Sequence, residues 1–510
     1  MMELRRDDLA TSKRLRLIFE IVCVLIAAGC AAVALHVAWR WPLCGDEGIF
    51  HLIVFALERG AKPYSDIKDL NFPGAYFLDA FVMKIFGGGD AGERAYDLLL
   101  CLVAGLGLLL GVDRGTWAKV GALLAGSLFV LIHLQDGLAQ EGQRDFAMAS
   151  LALLACGLYL CLPNRRATPL IAFQLLVGAI VTIKPTLVLL FFVPLLVAAF
   201  RKDTKRQLLE VFGISLGCVA VAPMMAGLWL LHEHASSAFV QDLMTMGTLH
   251  AELPRRGLMY LCLHAGSPVA ALTAIWLLLV IVNRSAWGVE RIVTTSAVVC
   301  GFASYLLQGK GLSYQRYPFL GLMLLALFVE IEQARVRSKA WELLALVTYA
   351  VVGLWLCPSM LHKVRSFEAV APFETALQTE LEAAGLASHP SVQCLDTFSG
   401  CLTTLYEMGT VQSTGYLYDC YLFNGGGSLQ VEYRERYLAE LERNLPRAII
   451  VTDQNCFQPD LGFHRVNQWR ELSGLLADRY TLKAVSVSDR EYLLWNRRER
   501  RPGFEVYILR

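Results

Sequence analysis

Residues 16–48 read RLIFEIVCVLIAAGCAAVALHVAWRWPLCGDEG. Residues 16–39 are almost wholly apolar, and a helix needs about 20 such residues to cross a bilayer. The segment is too long for the apolar core of a signal peptide, and no small-residue cleavage site follows it. An acidic pair, Asp46-Glu47, comes soon afterwards. The stretch therefore predicts a retained membrane span that leads into a polar loop.

The composition of the whole chain agrees with a membrane protein. Of 510 residues, 55% are hydrophobic and 18% are charged, against about 25% charged residues in soluble domains. This balance excludes disordered, fibrous and disulfide-scaffold proteins, and it argues against a wholly soluble one. The 46 Lys and Arg residues nearly balance 45 Asp and Glu residues, so nothing indicates a nucleic-acid partner.

Long apolar runs occupy residues 1–357, and they predict eleven spans. The predicted spans are roughly 16–39, 95–112, 117–134, 146–162, 168–183, 185–200, 208–231, 258–282, 292–308, 317–331 and 340–357. With the N-terminus in the cytoplasm, eighteen Lys and Arg residues lie in inner segments and six in the four short outer loops, as the positive-inside rule requires. An odd number of spans then places residues 358–510 outside.

Residues 168–200 allow an alternative, a single long helix in place of two short spans. That alternative would move the basic residues at 201–206 to the outside and leave Lys184-Pro185 in mid-bilayer. Two spans with Lys184-Pro185 at an outer turn are preferred, because proline breaks helices and lysine is costly in lipid.

Residues 358–510 have the pattern of a small soluble α/β domain, because short apolar strands alternate with amphipathic helices. The predicted strands are 391–398, 447–453, 480–488 and 504–510, and the predicted helices are 366–385, 428–444 and 466–478. The cysteines predicted outside are Cys44, Cys394, Cys401, Cys420 and Cys456, and an oxidising compartment would allow one or two disulfides. The predicted fold is thus a polytopic α-helical membrane protein of about eleven helices with a C-terminal extracytoplasmic α/β domain.

Unusual polar residues gather on the predicted outer side. The first outer loop, about 40–93, holds Asp46-Glu47 and two amphipathic stretches, 47–59 and 74–86, which are expected at the membrane surface. The later outer loops supply Asp136, Glu141, Arg144, Asp145, Lys184, Arg255, Arg256, Lys310, Tyr314, Arg316 and Tyr317. A carboxylate suits the removal of a proton from a hydroxyl acceptor, and cations suit a phosphate leaving group. The mixture therefore indicates sugar transfer from a lipid phosphate.

These residues resemble integral-membrane glycosyltransferases of the C-fold superfamily, in layout the bacterial lipid A aminoarabinose transferases and protein O-mannosyltransferases. The likeness lies in Asp46-Glu47 after the first span, Arg144-Asp145 in the second outer loop, IKP at 183–185 and GKGLSYQRYPFL at 309–320. Asn71-Phe72-Pro73-Gly74 stands where aminoarabinose transferases have Lys-Pro. The resemblance implies a GT-C-like fold and an inverting transferase that uses a polyprenyl-phosphate sugar at the outer face.

Each candidate residue has a role and a simpler alternative. Asp46 is expected to act as general base while Glu47 shapes the site, and the alternative is a solvated loop or helix cap. Asp145 is a second catalytic candidate and Glu141 would orient the acceptor, unless both belong to a salt-bridged loop. The expected ligands of the donor phosphate or sugar are Arg144, Lys184, Lys310, Arg316 and Tyr317. The alternatives are a snorkelling lysine and loop anchors at the interface.

No cofactor is predicted, and a divalent metal stays open. His232-Glu233-His234 lacks the i, i+4 spacing of a helical zinc pair. The expected partners are a polyprenyl-phosphate sugar donor, a glycolipid, polysaccharide or protein acceptor of the cell envelope, and membrane lipid. The expected location is a bacterial inner membrane. A lipid or sugar transporter is the first alternative, although no internal repeat of the kind transporters carry is present. An assembly protein is the second.

Overall fold

The structure of the chain is a computed structural model. It describes residues 2–112, 116–138, 143–162, 167–283, 287–335, 337–367, 372–386, 391–453, 462–486, 491–495, 497–500 and 503–510. Glu141 and Cys456 lie outside these residues.

The described residues before Phe367 form helices joined by loops. The helices are α1 (Met2–Ala38), α2 (Asp46–Glu58), α3 (Pro73–Phe86), α4 (Asp90–Leu110), α5 (Thr116–Leu134), α6 (Arg144–Cys161), α7 (Thr168–Ile183), α8 (Val193–Phe200), α9 (Lys205–His232), α10 (Ser236–Glu252), α11 (Leu258–His264), α12 (Ala270–Val282), α13 (Val289–Gln308), α14 (Tyr317–Arg335), α15 (Lys339–Ala350) and α16 (Cys357–Ser366). Short 3₁₀ helices at Pro185–Phe192 and Tyr314–Arg316 lead into α8 and α14, and a π-helical segment, Val351–Leu356, joins α15 to α16.

The last part of the chain adds strands and shorter helices. These are α17 (Pro372–Ala383), β1 (Val392–Leu395), α18 (Cys401–Glu407), α19 (Cys420–Phe423), α20 (Ser428–Arg443), β2 (Ala448–Thr452), α21 (His464–Asn467), α22 (Arg470–Arg479), β3 (Tyr480–Ser486), β4 (Glu491–Trp495), β5 (Arg497–Arg500) and β6 (Phe504–Leu509). Four strands form a mixed sheet in the order β1-β2-β6-β3, in which only the β1–β2 pair is parallel. Strands therefore lie within all four apolar runs where the sequence pattern predicts them.

The chain forms two compact units that are discontinuous in sequence. The first unit comprises Met1–Trp39, Arg94–Met224 and Arg255–Ser366. The second comprises Arg40–Glu93, Met225–Pro254 and Phe367–Arg510. The second unit thus contains the long first loop and most of the fourth predicted outer loop as well as the C-terminal residues. The division into one domain before residue 358 and a second domain after it stays a prediction.

The first unit is a helical bundle around α14. This helix is apolar along most of its length and almost entirely buried, and it packs against α5, α6, α12 and α13. By contrast, α9 exposes large apolar side chains such as Leu209 and Leu216. A surface of this kind is stable only when an apolar medium covers it. Within the part of the chain that the structure describes, five helical segments are long and apolar enough to cross a bilayer.

Four further apolar helical segments of the described residues are shorter, so the count of eleven spans stays a prediction. The expected break between two helices at Lys184-Pro185 is present, since Lys184 is extended with φ −160° between α7 and the 3₁₀ helix. The segment 258–282 differs from the prediction of one continuous helix. It forms α11 and α12 with a non-helical connection that contains Pro268, which cannot donate a backbone hydrogen bond.

Two buried ion pairs hold helices of the first unit together. Arg291 on α13 donates to Glu330 on α14 at 2.5 Å, and both side chains are at most 1% exposed. Arg335 on α14 pairs with Glu20 on α1. In the sequence, both arginines fall in segments predicted to be cytoplasmic loops. Their burial makes each pair necessary, because an isolated charge in an apolar interior is very costly.

The second unit is built around a shared apolar core. Residues of α2 and α3, such as Ile53 and Tyr76, belong to the same buried cluster as Leu402 of α18 and Ile450 of β2. The first-loop helices are therefore part of a folded domain core. On α3, Phe77, Phe81 and Ile85 follow one another at intervals of four residues and stay exposed. This stripe agrees with the expectation of an interfacial helix, whose place at a membrane surface stays a prediction.

Disulfides occur in the second unit. Cys394 at β1 is bonded to Cys401 at the start of α18, seven residues along the chain. Cys420 is disulfide-bonded too. The expectation of disulfides among the C-terminal cysteines therefore agrees with the structure, and it fits an oxidising compartment.

Close packing of α2 against α18 gives the first testable prediction. A Cβ atom on Gly48 would lie 2.0 Å from Oγ1 and 3.0 Å from Cβ of the buried Thr403. We expect Gly48→Ala to lower the free energy of unfolding by about 2 kcal/mol, as overpacking of a core does. Thermal unfolding in detergent measures the effect.

Gly247 provides the matched control. It lies in helix α10 of the same unit, and a Cβ atom added there would have no neighbouring atom within 4 Å. Gly247→Ala should leave stability unchanged or raise it by up to about 1 kcal/mol through helix propensity. Equal effects of the two substitutions would contradict the packing argument.

Candidate functional site

The first polar cluster joins the start of α6 to the end of α7. Lys184 Nζ donates to Asp145 Oδ2 at 2.7 Å and to Gln308 Oε1 at 2.6 Å. Gln308 Nε2 closes the triangle with a 3.0 Å bond to Asp145 Oδ1. The Asp145 carboxylate is 1% exposed, whereas the Lys184 side chain is 20% exposed. Three residues far apart in sequence therefore form one partly accessible network.

This network changes the expected role of Lys184. An ammonium group has three N–H donors, and two of those on Lys184 are directed to protein oxygens. Asp145 and Lys184 were both predicted as site residues. The structure brings them together, and they form an ion pair with each other. Arg144 begins α6 and is half-buried.

The second cluster surrounds Asp136, just after α5. Tyr317 donates its hydroxyl hydrogen to Asp136 Oδ2 at 3.2 Å, and Arg316 Nη2 lies 3.6 Å from the same oxygen. Nearby, His133 Nε2 lies 2.9 Å from Asp97 Oδ1. Burial raises the pKa of Asp136, whereas Arg316 and Tyr317 act in the opposite direction. The predicted pair Arg316-Tyr317 thus serves first to satisfy a buried carboxylate.

The third feature is a basic turn at Gly309-Lys310-Gly311. Both glycines have positive φ, +66° and +72°, which side chains other than glycine rarely adopt. The Arg256 backbone N–H donates to the Gly309 carbonyl at 2.9 Å, and a Cβ on Gly309 would meet the Arg255 guanidinium at 2.6 Å. The turn therefore gathers Arg255, Arg256 and Lys310.

The surroundings of Lys310 in this turn disfavour its charged form. Burial, together with the positive charge of Arg255, lowers the pKa of Lys310 to about 8. An anion bound at the turn would oppose both causes. Phosphate oxygens, which Arg binds through its planar fork and Lys as a point charge, are suitable ligands.

The carboxylates of the first loop lie in the second unit. Asp46 and Glu47 form the first turn of α2, after Gly45 with φ +66°. Carboxylates are favoured there by the helix dipole. Asp46 is half-buried and Glu47 is buried. Asp46 is thus the more exposed of the two carboxylates.

A further polar group lies one turn along the same helix. His51 Nδ1 is 3.1 Å from Asp79 Oδ1 and 3.2 Å from the Glu47 carbonyl oxygen. Burial lowers the pKa of His51, but hydrogen bonding and charge from Asp79 outweigh it, so the pKa is raised overall. Glu93 also acts on this imidazole.

Several of these partners are absent from the set predicted on sequence. Gln308, Asp79 and Glu93 were not among the expected site residues, and Asp136 was expected only as a loop acid. For Gln308 and Glu93 the signal is a polar residue at the edge of an apolar run, whereas Asp79 lies inside the amphipathic stretch 74–86. Sequence separation hides the contacts, since Gln308 lies 163 residues from Asp145.

Comparisons with known proteins identify the fold. No family model matches the sequence, and no curated protein matches it either. Among solved structures, ArnT from Cupriavidus metallidurans in the apo state is similar with a TM-score of 0.59 and 12% identity, over 95% of this chain and 97% of that chain. ArnT from the same organism bound to undecaprenyl phosphate gives 0.56 and 11% identity, with the same coverage of both chains.

A third neighbour is the mycobacterial arabinofuranosyltransferase AftD. Its TM-score is 0.51 at 13% identity, with 95% of this chain aligned to 40% of that chain. These neighbours are GT-C fold glycosyltransferases. The chain therefore has the GT-C fold and is an integral membrane protein, and the expected likeness to the C-fold superfamily is confirmed at the level of the fold.

The Asp145–Lys184 pair gives the second testable prediction. Lys184→Met would leave a carboxylate of 1% exposure without its cation. We expect a loss of about 3 kcal/mol in the free energy of unfolding, measured by thermal unfolding in nanodiscs. The exposed Lys205→Met is the control and should have almost no effect.

A double variant separates the ion pair from simple loss of packing. In Asp145→Leu/Lys184→Met no buried charge is left unpaired, so part of the lost stability should return. The pairing argument would be contradicted if the loss of stability in the double variant equalled the sum of the losses in Asp145→Leu and Lys184→Met.

Proposed function

We propose that the protein transfers a sugar from a polyprenyl-phosphate-linked donor to a cell-envelope acceptor at the outer face of the membrane. The observation that carries this proposal is the basic turn around Lys310 in a chain with the GT-C fold. The similar ArnT structure with undecaprenyl phosphate supports a donor of this class. The outer-face assignment follows from the distribution of Lys and Arg along the sequence.

The proposed reaction is a single displacement with inversion. Asp46 accepts the proton of the acceptor hydroxyl as its oxygen attacks the anomeric carbon. The bond between that carbon and the phosphate oxygen breaks, and the polyprenyl phosphate leaves with the electron pair. Glu47 shapes the surroundings of Asp46.

Charge that develops on the leaving phosphate needs cations in place before the reaction. We assign this role first to Lys310, with Arg255 beside it. Asp145 acts as a positioning residue, because its carboxylate holds Lys184 and Gln308. Arg316 and Tyr317 already contact Asp136, and we assign them a secondary role in binding the donor.

A comparison of two carboxylates on α2 tests the proposed base. Asp46→Asn should reduce turnover by about 10²–10⁴-fold, the usual contribution of a general base. Glu58→Gln is the matched control at the exposed end of the same helix and should retain activity. The measurement is consumption of a panel of polyprenyl-phosphate sugars by purified protein, with a membrane extract as the acceptor source.

The outcomes distinguish the main alternatives. Undiminished turnover in a folded Asp46→Asn variant would move the base elsewhere, to Asp145 first. Transport into sealed vesicles with no sugar transfer by the wild type would contradict the enzyme and favour a transporter.

The lowered pKa of Lys310 predicts a dependence on pH. The ammonium group is charged below its pKa of about 8 and loses its charge as the pH rises through that value. We therefore expect kcat/KM for the lipid-phosphate donor to fall above about pH 8, because this parameter reports the free enzyme. In Lys310→Arg, kcat/KM should no longer fall in this pH range, since arginine stays charged. The same fall in that variant would exclude Lys310 as the group that causes it.

A further inference from the structure

A group of potential metal ligands lies in the second unit, apart from the residues given catalytic roles above. His51 of α2, Asp79 of α3 and Glu93 in the first turn of α4 each offer one ligand atom, and these atoms all lie within 4.8 Å of one another. Ligand atoms around a first-row divalent ion at about 2.0–2.2 Å are roughly 3–4 Å apart. Small inward movements of the side chains would therefore complete a coordination sphere.

Burial distinguishes this group from an ordinary acidic surface cluster. His51 is 0% exposed, Glu93 is 1% exposed and Asp79 is 9% exposed. Among the described residues, Nε2 of His51 and Oδ2 of Asp79 have no hydrogen-bond partner. Leaving such atoms unsatisfied in an interior is costly, and so the residues present are suited to a ligand that accepts their lone pairs.

The charge of the group points to a cation. The side-chain charges that act on His51 are those of Asp79 and Glu93, and both are negative. Burying negative charge is expensive, and a divalent cation bound to both carboxylates would offset that cost.

We propose that His51, Asp79 and Glu93 form a binding site for a divalent first-row metal ion, with Zn²⁺ or Mn²⁺ as the matching chemistry. One imidazole nitrogen and two carboxylate oxygens favour these ions over Ca²⁺ and Mg²⁺, which prefer oxygen ligands alone. Three protein ligands leave at least one position for water.

The site would fix the position of α2 within its unit. His51 lies five residues beyond Asp46, about 7.5 Å along the helix axis. An ion held by three helices would hold the first turn of α2, with Asp46 and Glu47, in one orientation. The ion is therefore assigned a positioning role, and its binding does not depend on the function proposed above.

Metal content provides a test that is separate from activity. The full-length chain, purified with a tag that contains no histidine, is treated with EDTA and then incubated with ZnCl₂ or MnCl₂. We expect about one ion per chain by elemental analysis after removal of free metal, together with a rise in melting temperature on addition of metal. His51→Gln and Asp79→Asn should each weaken binding more than about tenfold.

His232→Gln is the matched control. His232 is exposed in the same unit beside Glu233 and His234, and this substitution should leave the stoichiometry unchanged. Wild-type protein that binds neither ion and shows no melting shift would overturn the proposal and leave a His51–Asp79 ion pair. Stoichiometric binding that persists at full affinity in Asp79→Asn and His51→Gln would place the ion elsewhere and overturn it too.

Discussion

The ion pair between Lys184 and Asp145 is the constraint on which the polar architecture of the first unit depends. Asp145 is almost wholly buried at the start of α6, where its charge needs a partner. Lys184 supplies that partner from the end of α7, and Gln308 at the end of α13 binds both groups. One electrostatic requirement therefore brings the ends of three helices together. In sequence, Lys184 directly precedes the 3₁₀ helix Pro185–Phe192, and Gln308 directly precedes the basic turn Gly309-Lys310-Gly311.

The same requirement recurs throughout this unit with different residues. Glu330 is matched by Arg291, and Asp136 by Arg316 with the hydroxyl group of Tyr317. The turn at Lys310 brings a second positive side chain, Arg255, close to the lysine, and the pKa of Lys310 is lowered. A bound anion would stabilise this turn, which is why it carries the proposed phosphate site.

The second unit is organised by apolar burial. The side chains of α2 and α3 share a core with α18 and strand β2, so the first loop is folded as part of a domain. Contact between Gly48 and Thr403 brings α2 close to α18. The spacing of apolar residues in loop one predicts the two helices. Their packing against residues more than 300 positions away in the chain produces no pattern in the local sequence. For this reason the sequence predicted amphipathic surface helices and not their incorporation into the C-terminal fold.

The predictable part of this protein is what local pattern controls. Apolar runs place α1, α6, α9 and α14, because bilayer-length burial is a property of a continuous segment. Proline at 185 marks a real helix break, and alternating short runs mark β1, β2, β3 and β6. Asp46-Glu47 at the start of α2 was recognisable because a charged pair directly after a span is conspicuous.

Sequence alone thus determined that this is a polytopic membrane protein, which polar residues follow its spans, and which chemistry those residue types suit. The tertiary structure decided which of them meet: Lys184 with Asp145 and Gln308, Tyr317 with Asp136, and His51 with Asp79 and Glu93. The physical reason is that hydropathy acts along a segment of about 20 residues, whereas charge pairing acts over a few ångströms in space. Contacts of that range between distant residues exist only once the helices have packed.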